Sequence, residues 1–400
     1  FPRLIAPWPP FMSVRGIRHE FAPGAWAEAR FEGDVFEFED QRNNADASYK
    51  TYNRSNMMPR PYRLSADVPI RQSVELRLID APPAAEMPEA LSLPGRRRGA
   101  FPLIGLAITP EDTDAPEVLR SALAQLRPDL LHLVLDRPDS VVDWPTIASL
   151  LQACGGRLRL DVDRLTDSNA SSVLTGLSQG LDATHIDPES VAVFPGTPTV
   201  VAAARTAFPG SAIGSGTPYF FTQLHRSENI GPVDFLSFTT SALVHGADDE
   251  SVMLGLNSLP DMMDTLAATH PHRDVRIGPS GIAARHSPLG GQPPSDGTRR
   301  VALARHDPRS TALFGAAWLV GYLAQFAGAG AAAISVLDLT GPNGILRIDQ
   351  GHAKPCPAFF VLERLRGVTR VEFAGLVERG KIAVLDVHTL VGHLRILSHL

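Results

Sequence analysis

The chain has 400 residues and a formal net charge of −6, with 37 Lys and Arg against 43 Asp and Glu. That balance argues against a protein that tracks a phosphate backbone, since the one arginine cluster, Arg96 to Arg98, lies in a Pro/Gly-rich stretch that reads as solvated linker. Cys154 and Cys356 stand apart, which gives neither a zinc pattern nor a disulfide framework and favours a reducing, cytoplasmic compartment.

The opening text FPRLIAPWPPF has no initiator Met and lacks the charged start and apolar core of a signal peptide. The expectation is a chain that begins inside a longer protein. From Phe11 to Leu78 the segments FMSVRG, WAEARFEGDVFEFED and SVELRLI alternate apolar with polar residues, as half-buried antiparallel strands do. Residues 1–79 are therefore expected to form a β-rich region. Within it, FEFEDQRNNADASYKTYNR starts as a strand and then breaks into seven polar or small residues, Glu39 to Ala45. Such text is either a solvated loop or the wall of a site.

Residues 80–100 are dense in Pro, Gly and Ala and read as a linker. Beyond them short apolar runs alternate with helix-length segments: PLIGLAI, LLHLVLD, RLRLDVD, VAVFP, SAIGSGT, DFLSFTT, DVRIGPS and AAAISVLDLTGP. Parallel strands need helical crossovers, so about eight such runs over residues 101–366 predict a (β/α)8 barrel of the TIM type, an α/β fold. Ala312 to Val336 is the most apolar stretch and suits a buried helix and strand better than a membrane span. The tail, residues 367–400, returns to alternating strands. It is expected to join the N-terminal region in a small sheet or sandwich beside the barrel.

In such a barrel the chemistry sits where the strands end. The fifth strand is followed by Thr217, Tyr219, Gln223 and His225, and the sixth by Thr239, Thr240, His245, Asp248 and Asp249. The seventh is followed by Ser280, Arg285 and His286, and the eighth by Asp338, Thr340 and Asn343. Hydroxyls and amides in this number suit a polyhydroxylated ligand. Retaining glycosidases on such barrels place carboxylates at the ends of the fourth and seventh strands, where this chain reads VFPG and IGPS, so that chemistry is disfavoured. No G-x-S-x-G elbow or H-E-x-x-H motif occurs. His245, Asp248 and Asp249 do not form a recognised metal signature, and an Asp-capped helix before ESVMLGL is the plainer reading.

The stretch FEFEDQRNNADASYKTY, with SFTTSALVHGADDESVM, RIGPSGIAARHSP, DPRSTALFGAAWLVGY and LTGPNGIL, resembles the D-apionate lactonase family of bacterial apiose catabolism. The likeness runs from about Gly16 to about Arg366, and the chain departs from the family text at Asn44, Ala45, Gln223, His225, His286 and Ser287. The resemblance implies a glycosidase-like barrel between β-rich flanks that hydrolyses a sugar lactone to its aldonic acid, without cofactor or metal. Lactone opening needs a base for water, donors for the oxyanion and an acid near the leaving alkoxide. On that basis His245 is the expected base or acid, oriented by Asp248 or Asp249, because an imidazole titrates near neutrality. Glu39 and Asp40 are the rival pair. Arg42, Asn43, Asp46, Lys50, Thr217, Thr240, Asp248, Ser280 and Arg285 are expected to bind the substrate's carbonyl and hydroxyls. The alternatives are another barrel hydrolase or a carbohydrate-binding protein without turnover.

Overall fold

The computed structural model describes residues 2–80, 99–110, 112, 116–288, 290–377 and 381–400. Its centre is a closed barrel of eight parallel strands. They run in chain order over Leu103–Ile108, Leu130–Leu135, Arg157–Val162, Ser190–Val193, Ala212–Phe220, Phe235–Thr239, Asp274–Ser280 and Ala333–Asp338. The eighth pairs with the first, Ala333 opposite Leu103, and closes the ring. All eight strands coincide with the apolar runs of the sequence.

Period-two alternation within each strand separates two environments. In the third strand Leu158, Leu160 and Val162 join the large core under the helices. Arg159 and Asp161 alternate with them and face the barrel interior, where Arg159 donates to Asp161 at 2.9 and 3.0 Å and to Ser237 Oγ at 2.7 Å. Small side chains keep the interior narrow. A Cβ on Gly105 would lie 2.4 Å from Ser335 Oγ.

The helix Leu313–Gly328 is buried on nearly every side, including Trp318, Leu319, Tyr322, Leu323 and Phe326. A helix apolar all round must be covered all round. One side meets the barrel. The other carries a four-stranded antiparallel sheet of Gly99–Ala100, Val368–Val377, Ile382–Thr389 and Gly392–His399. Close approach is possible because Gly328 lacks a Cβ, which would lie 2.4 Å from the Ala374 carbonyl oxygen.

The N-terminal residues form two further three-stranded sheets, one of Phe11–Val14, Phe36–Asp40 and Tyr49–Tyr52, the other of Gly16–Ala22, Ala25–Glu32 and Ser73–Asp80. Phe31, Phe36 and Phe38 make their small core, with Phe31 and Phe36 stacked at 4.8 Å. Both ends of the chain are thus β-rich as expected. Strand pairing among the described residues nevertheless keeps them apart: the C-terminal strands pair with Gly99–Ala100 rather than with the N-terminal sheets. The buried helix supplies the reason, since its outer face needs a cover and the C-terminal strands pack on it, Ala374 against Gly328. The expected linker lies mostly outside the described residues.

Candidate active site

A cleft opens at the C-terminal ends of the barrel strands, lined among others by Asp136, Asp163, Phe194, Pro218, Arg285 and His286. Asp136 and Asp163 directly follow the second and third strands, and Arg285 and His286 lie on the loop after the seventh. His286 Nε2 lies 3.1 Å from Asp136 Oδ1, and the edge of Tyr219 meets the His286 ring at 6.4 Å between centroids. Arg285 is largely buried and donates through one terminal nitrogen to Asp338, while its buried Nε has no hydrogen-bond partner. Gly278 forms part of the wall with φ +103°, and a Cβ there would lie 2.0 Å from the Ser335 carbonyl oxygen.

The two rim carboxylates sit in contrasting environments. Burial raises the pKa of Asp136, but the hydrogen bond from His286 and the charges of His286 and Arg285 outweigh it, and the net direction is down. Burial also raises Asp163, and there the backbone N–H of Arg164, at 2.7 Å, does not reverse it. At the cleft's inner wall, burial works against the Asp161 carboxylate but Arg159 and His132 prevail, taking its pKa to about 2. His132, fully buried beside it, is pushed down to about 4 by burial. Its Nε2 is 2.9 Å from Asp161 without the alignment of a hydrogen bond.

The N-terminal motif contributes in another way. Asp40 caps a 3-10 turn, Gln41–Asn44, that ends on Ala45 in the left-handed region at φ 62°. Its carboxylate takes Arg42 Nε at 2.9 Å and Nη2 at 2.7 Å and the Ala6 N–H at 3.1 Å. Arg42 also reaches Asp261 at 2.9 Å and the Pro2 carbonyl at 3.0 Å. Asp40 and Arg42, expected as acid/base and substrate ligand, are therefore spent on tying the N-terminal segment and the helix Leu259–Thr269 to the turn. Glu39 and Lys50 are opposite each other in the hairpin, Lys50 exposed. Asn43 donates through Nδ2 to the Ala6 carbonyl and accepts through Oδ1 from His225 Nδ1, 3.0 Å away.

His245 is hydrogen-bonded to Asp46. The expected orienters are engaged elsewhere, which corrects that assignment. Asp248 caps the helix Asp249–Leu254 through Ser251, at 2.8 Å to N and 2.7 Å to Oγ, and Asp249 pairs with Arg300 and Arg309. The plainer reading of Asp248 as a helix cap thus describes it. Thr240 and Ser280 are buried and joined, Thr240 N to Ser280 Oγ at 2.9 Å, with Thr240 Oγ1 on Tyr322 OH at 2.8 Å. Thr217 is also buried and accepts from the Tyr219 N–H. Of the residues expected to react with or bind the substrate, Arg285 alone lines the cleft, joined there by Thr239 and His286 from the strand ends read in the sequence. No group of three or more His, Cys, Asp or Glu among the described residues is arranged to hold a metal, and no described helix is long and apolar enough to cross a membrane.

Residues 104–370 match the family model described as D-apionate lactonase, TIM barrel domain, and residues 1–81 match D-apionate lactonase, N-terminal domain. The chain belongs to the D-apionate lactonase family. It is 33% identical to the D-apionate lactonase of Brucella anthropi over a 412-residue alignment that covers 94% of this chain and 66% of that relative, just short of two thirds of its length. Among solved structures, a GH30 endoxylanase from Clostridium papyrosolvens C71 superposes with a TM-score of 0.49 at 10% identity, covering 76% of this chain and 82% of the other. A 4-O-α-L-rhamnosyl-β-D-glucuronidase from Fusarium oxysporum 12S gives 0.48 at 12% identity, covering 76% and 79%.

In this member of the D-apionate lactonase family two of the positions that depart from the family text, Asn44 and His225, lie on opposite sides of one contact. Asn44 Oδ1 accepts from Thr222 Oγ1 at 2.7 Å, and His225 meets Asn43, so the N-terminal turn is sewn to the short helix Phe221–His225. Asp136 and Asp163 were missed as site residues, although they are the last letters of LLHLVLD and RLRLDVD. Reading the ends of the second and third strands as closely as those of the fifth to eighth finds both.

Proposed function

We propose that this chain hydrolyses a sugar lactone of a single ring, an aldonolactone of the D-apionolactone kind, to the aldonic acid. Family membership supports the reaction class, and the pairing of Asp136 with His286 beside Arg285 in one cleft is the observation that carries the assignment. With Nε2 donating to Asp136, His286 keeps Nδ1 as the nitrogen that accepts a proton from water. The carboxylate holds the tautomer and stabilises the imidazolium that forms.

Water attacks the lactone carbonyl carbon, and negative charge gathers on the carbonyl oxygen. Arg285, buried and with N–H groups not used by Asp338, is the donor suited to that oxygen, since a fixed cation in a dry site needs no reorganisation. Phe194 and Pro218 offer the apolar wall against which a ring face packs.

Acid release from a panel of aldonolactones, followed with a pH indicator, tests the reading in wild type, His286→Ala and Asp136→Asn. Turnover by wild type and a loss of ~10² to 10⁴ in the His286 variant is the expected result. Thermal stabilisation by lactones without acid release would instead make the protein a carbohydrate binder. Full activity in both variants would move the base elsewhere, with His245 the next candidate.

A further inference from the structure

The two carboxylates at the cleft differ in their partners in a way the water-activating step leaves unused. Asp136 is bonded to His286. Asp163, one strand along the ring and more enclosed, its side chain 18% exposed against 44% for Asp136, accepts among the described residues only the neighbouring Arg164 N–H, on Oδ1. Its Oδ2 has the exposed Arg164 Nε at 4.0 Å as its sole ion-pair neighbour among the described residues. The groups that face it are Asp136 from the second strand, Tyr219 from the fifth, His286 from the loop after the seventh and Arg164 beside it.

We infer that Asp163 is the general acid of the reaction and delivers its proton from Oδ2 to the ring oxygen as the lactone opens. The inference rests on the lactonase reading. In the first half, the water oxygen bonds to the carbonyl carbon, a water proton passes to His286, and the C=O π pair moves to the oxygen beside Arg285. In the second half that pair reforms C=O and the bond from carbon to ring oxygen breaks. The released electron pair stays on the ring oxygen, which takes the Asp163 proton and becomes a hydroxyl. Asp163 is reprotonated from the His286 imidazolium through solvent, so the sum is lactone plus water to hydroxy acid. Burial raises Asp163 and so favours its protonated form, while Asp136 is lowered by its bond to His286 and stays the carboxylate that holds the imidazole.

Leaving-group dependence tests it. An aldonolactone expels an alkoxide, which needs a proton, whereas dihydrocoumarin expels a phenolate, which does not. Asp163→Asn, its fold checked by circular dichroism, is expected to lose ~10² or more in kcat on the aldonolactone and little on dihydrocoumarin. In wild type the aldonolactone rate alone should fall on the alkaline side as Asp163 loses its proton, a measurement that needs no variant. Equal loss on both substrates, or an unchanged aldonolactone rate, overturns the acid role and leaves the lactonase reading standing. Failure of wild type to open either lactone removes both.

Discussion

Asp46, just past the N-terminal 3-10 turn, and His245, on the loop after the sixth barrel strand, meet in a hydrogen bond across 199 residues of sequence. The pair fastens the N-terminal β region to the barrel. Gly255 supports the same contact, because a Cβ there would lie 2.6 Å from the Ala45 carbonyl oxygen. His245→Ala strands a mostly buried carboxylate, and should cost ~1–3 kcal/mol in chemical denaturation. Its kcat should stay within ~10-fold of wild type if His286 is the base. Loss of turnover in a folded His245→Ala protein would reverse the two assignments.

Asp40 and Arg42 form a pair whose side chains are 0% and 11% exposed. Removing one partner leaves the other buried without compensation, which typically costs ~3–5 kcal/mol. Arg42→Ala should therefore lower the denaturant midpoint far more than Lys50→Ala, whose side chain is exposed. Comparable small losses in both would mean that Arg42 does not anchor the N-terminal segment.

Acid should weaken the fold through two histidines, one buried and one half-buried. His132 and His225 are both lowered to about 4, chiefly by burial, so the unfolded chain binds their protons first as pH falls. Stability is full above about 6.5 and declines toward pH 4, where the folded histidines begin to charge. For His132, fully buried, the span from 6.5 to about 4 corresponds to on the order of 3 kcal/mol. Below that, Asp161 adds its own loss as pH falls toward about 2. Urea unfolding of His132→Asn between pH 4 and 7 should show a flatter slope than wild type. An equal slope would assign the acid limb to other groups.

Arg285→Lys retains the charge and loses the fork that meets Asp338 and the cleft together. Under the proposed chemistry kcat on aldonolactones should fall by ~10² to 10³, the usual cost of one oxyanion donor, with a smaller change in KM. A rise in KM at constant kcat would make Arg285 a binding group for the ground state.

The sequence by itself determined the barrel, the β-rich ends and the family. Eight apolar runs at helix-length intervals admit few arrangements, because parallel strands must be joined by crossovers and their outer faces must be covered. It also contained the cap at Asp248, a local matter of one side chain and the N–H groups three residues on. Only the tertiary structure decided which polar residues meet. Asp136 and His286 lie 150 residues apart, and Asp40, Arg42 and Asp261 meet only once the N-terminal turn has docked. A dense polar motif has the same text whether it binds a ligand or fastens two parts of a protein. The distinction rests on where each hydrogen-bonding group finds its partner, and for Asp40 and Arg42 those partners lie within the protein itself.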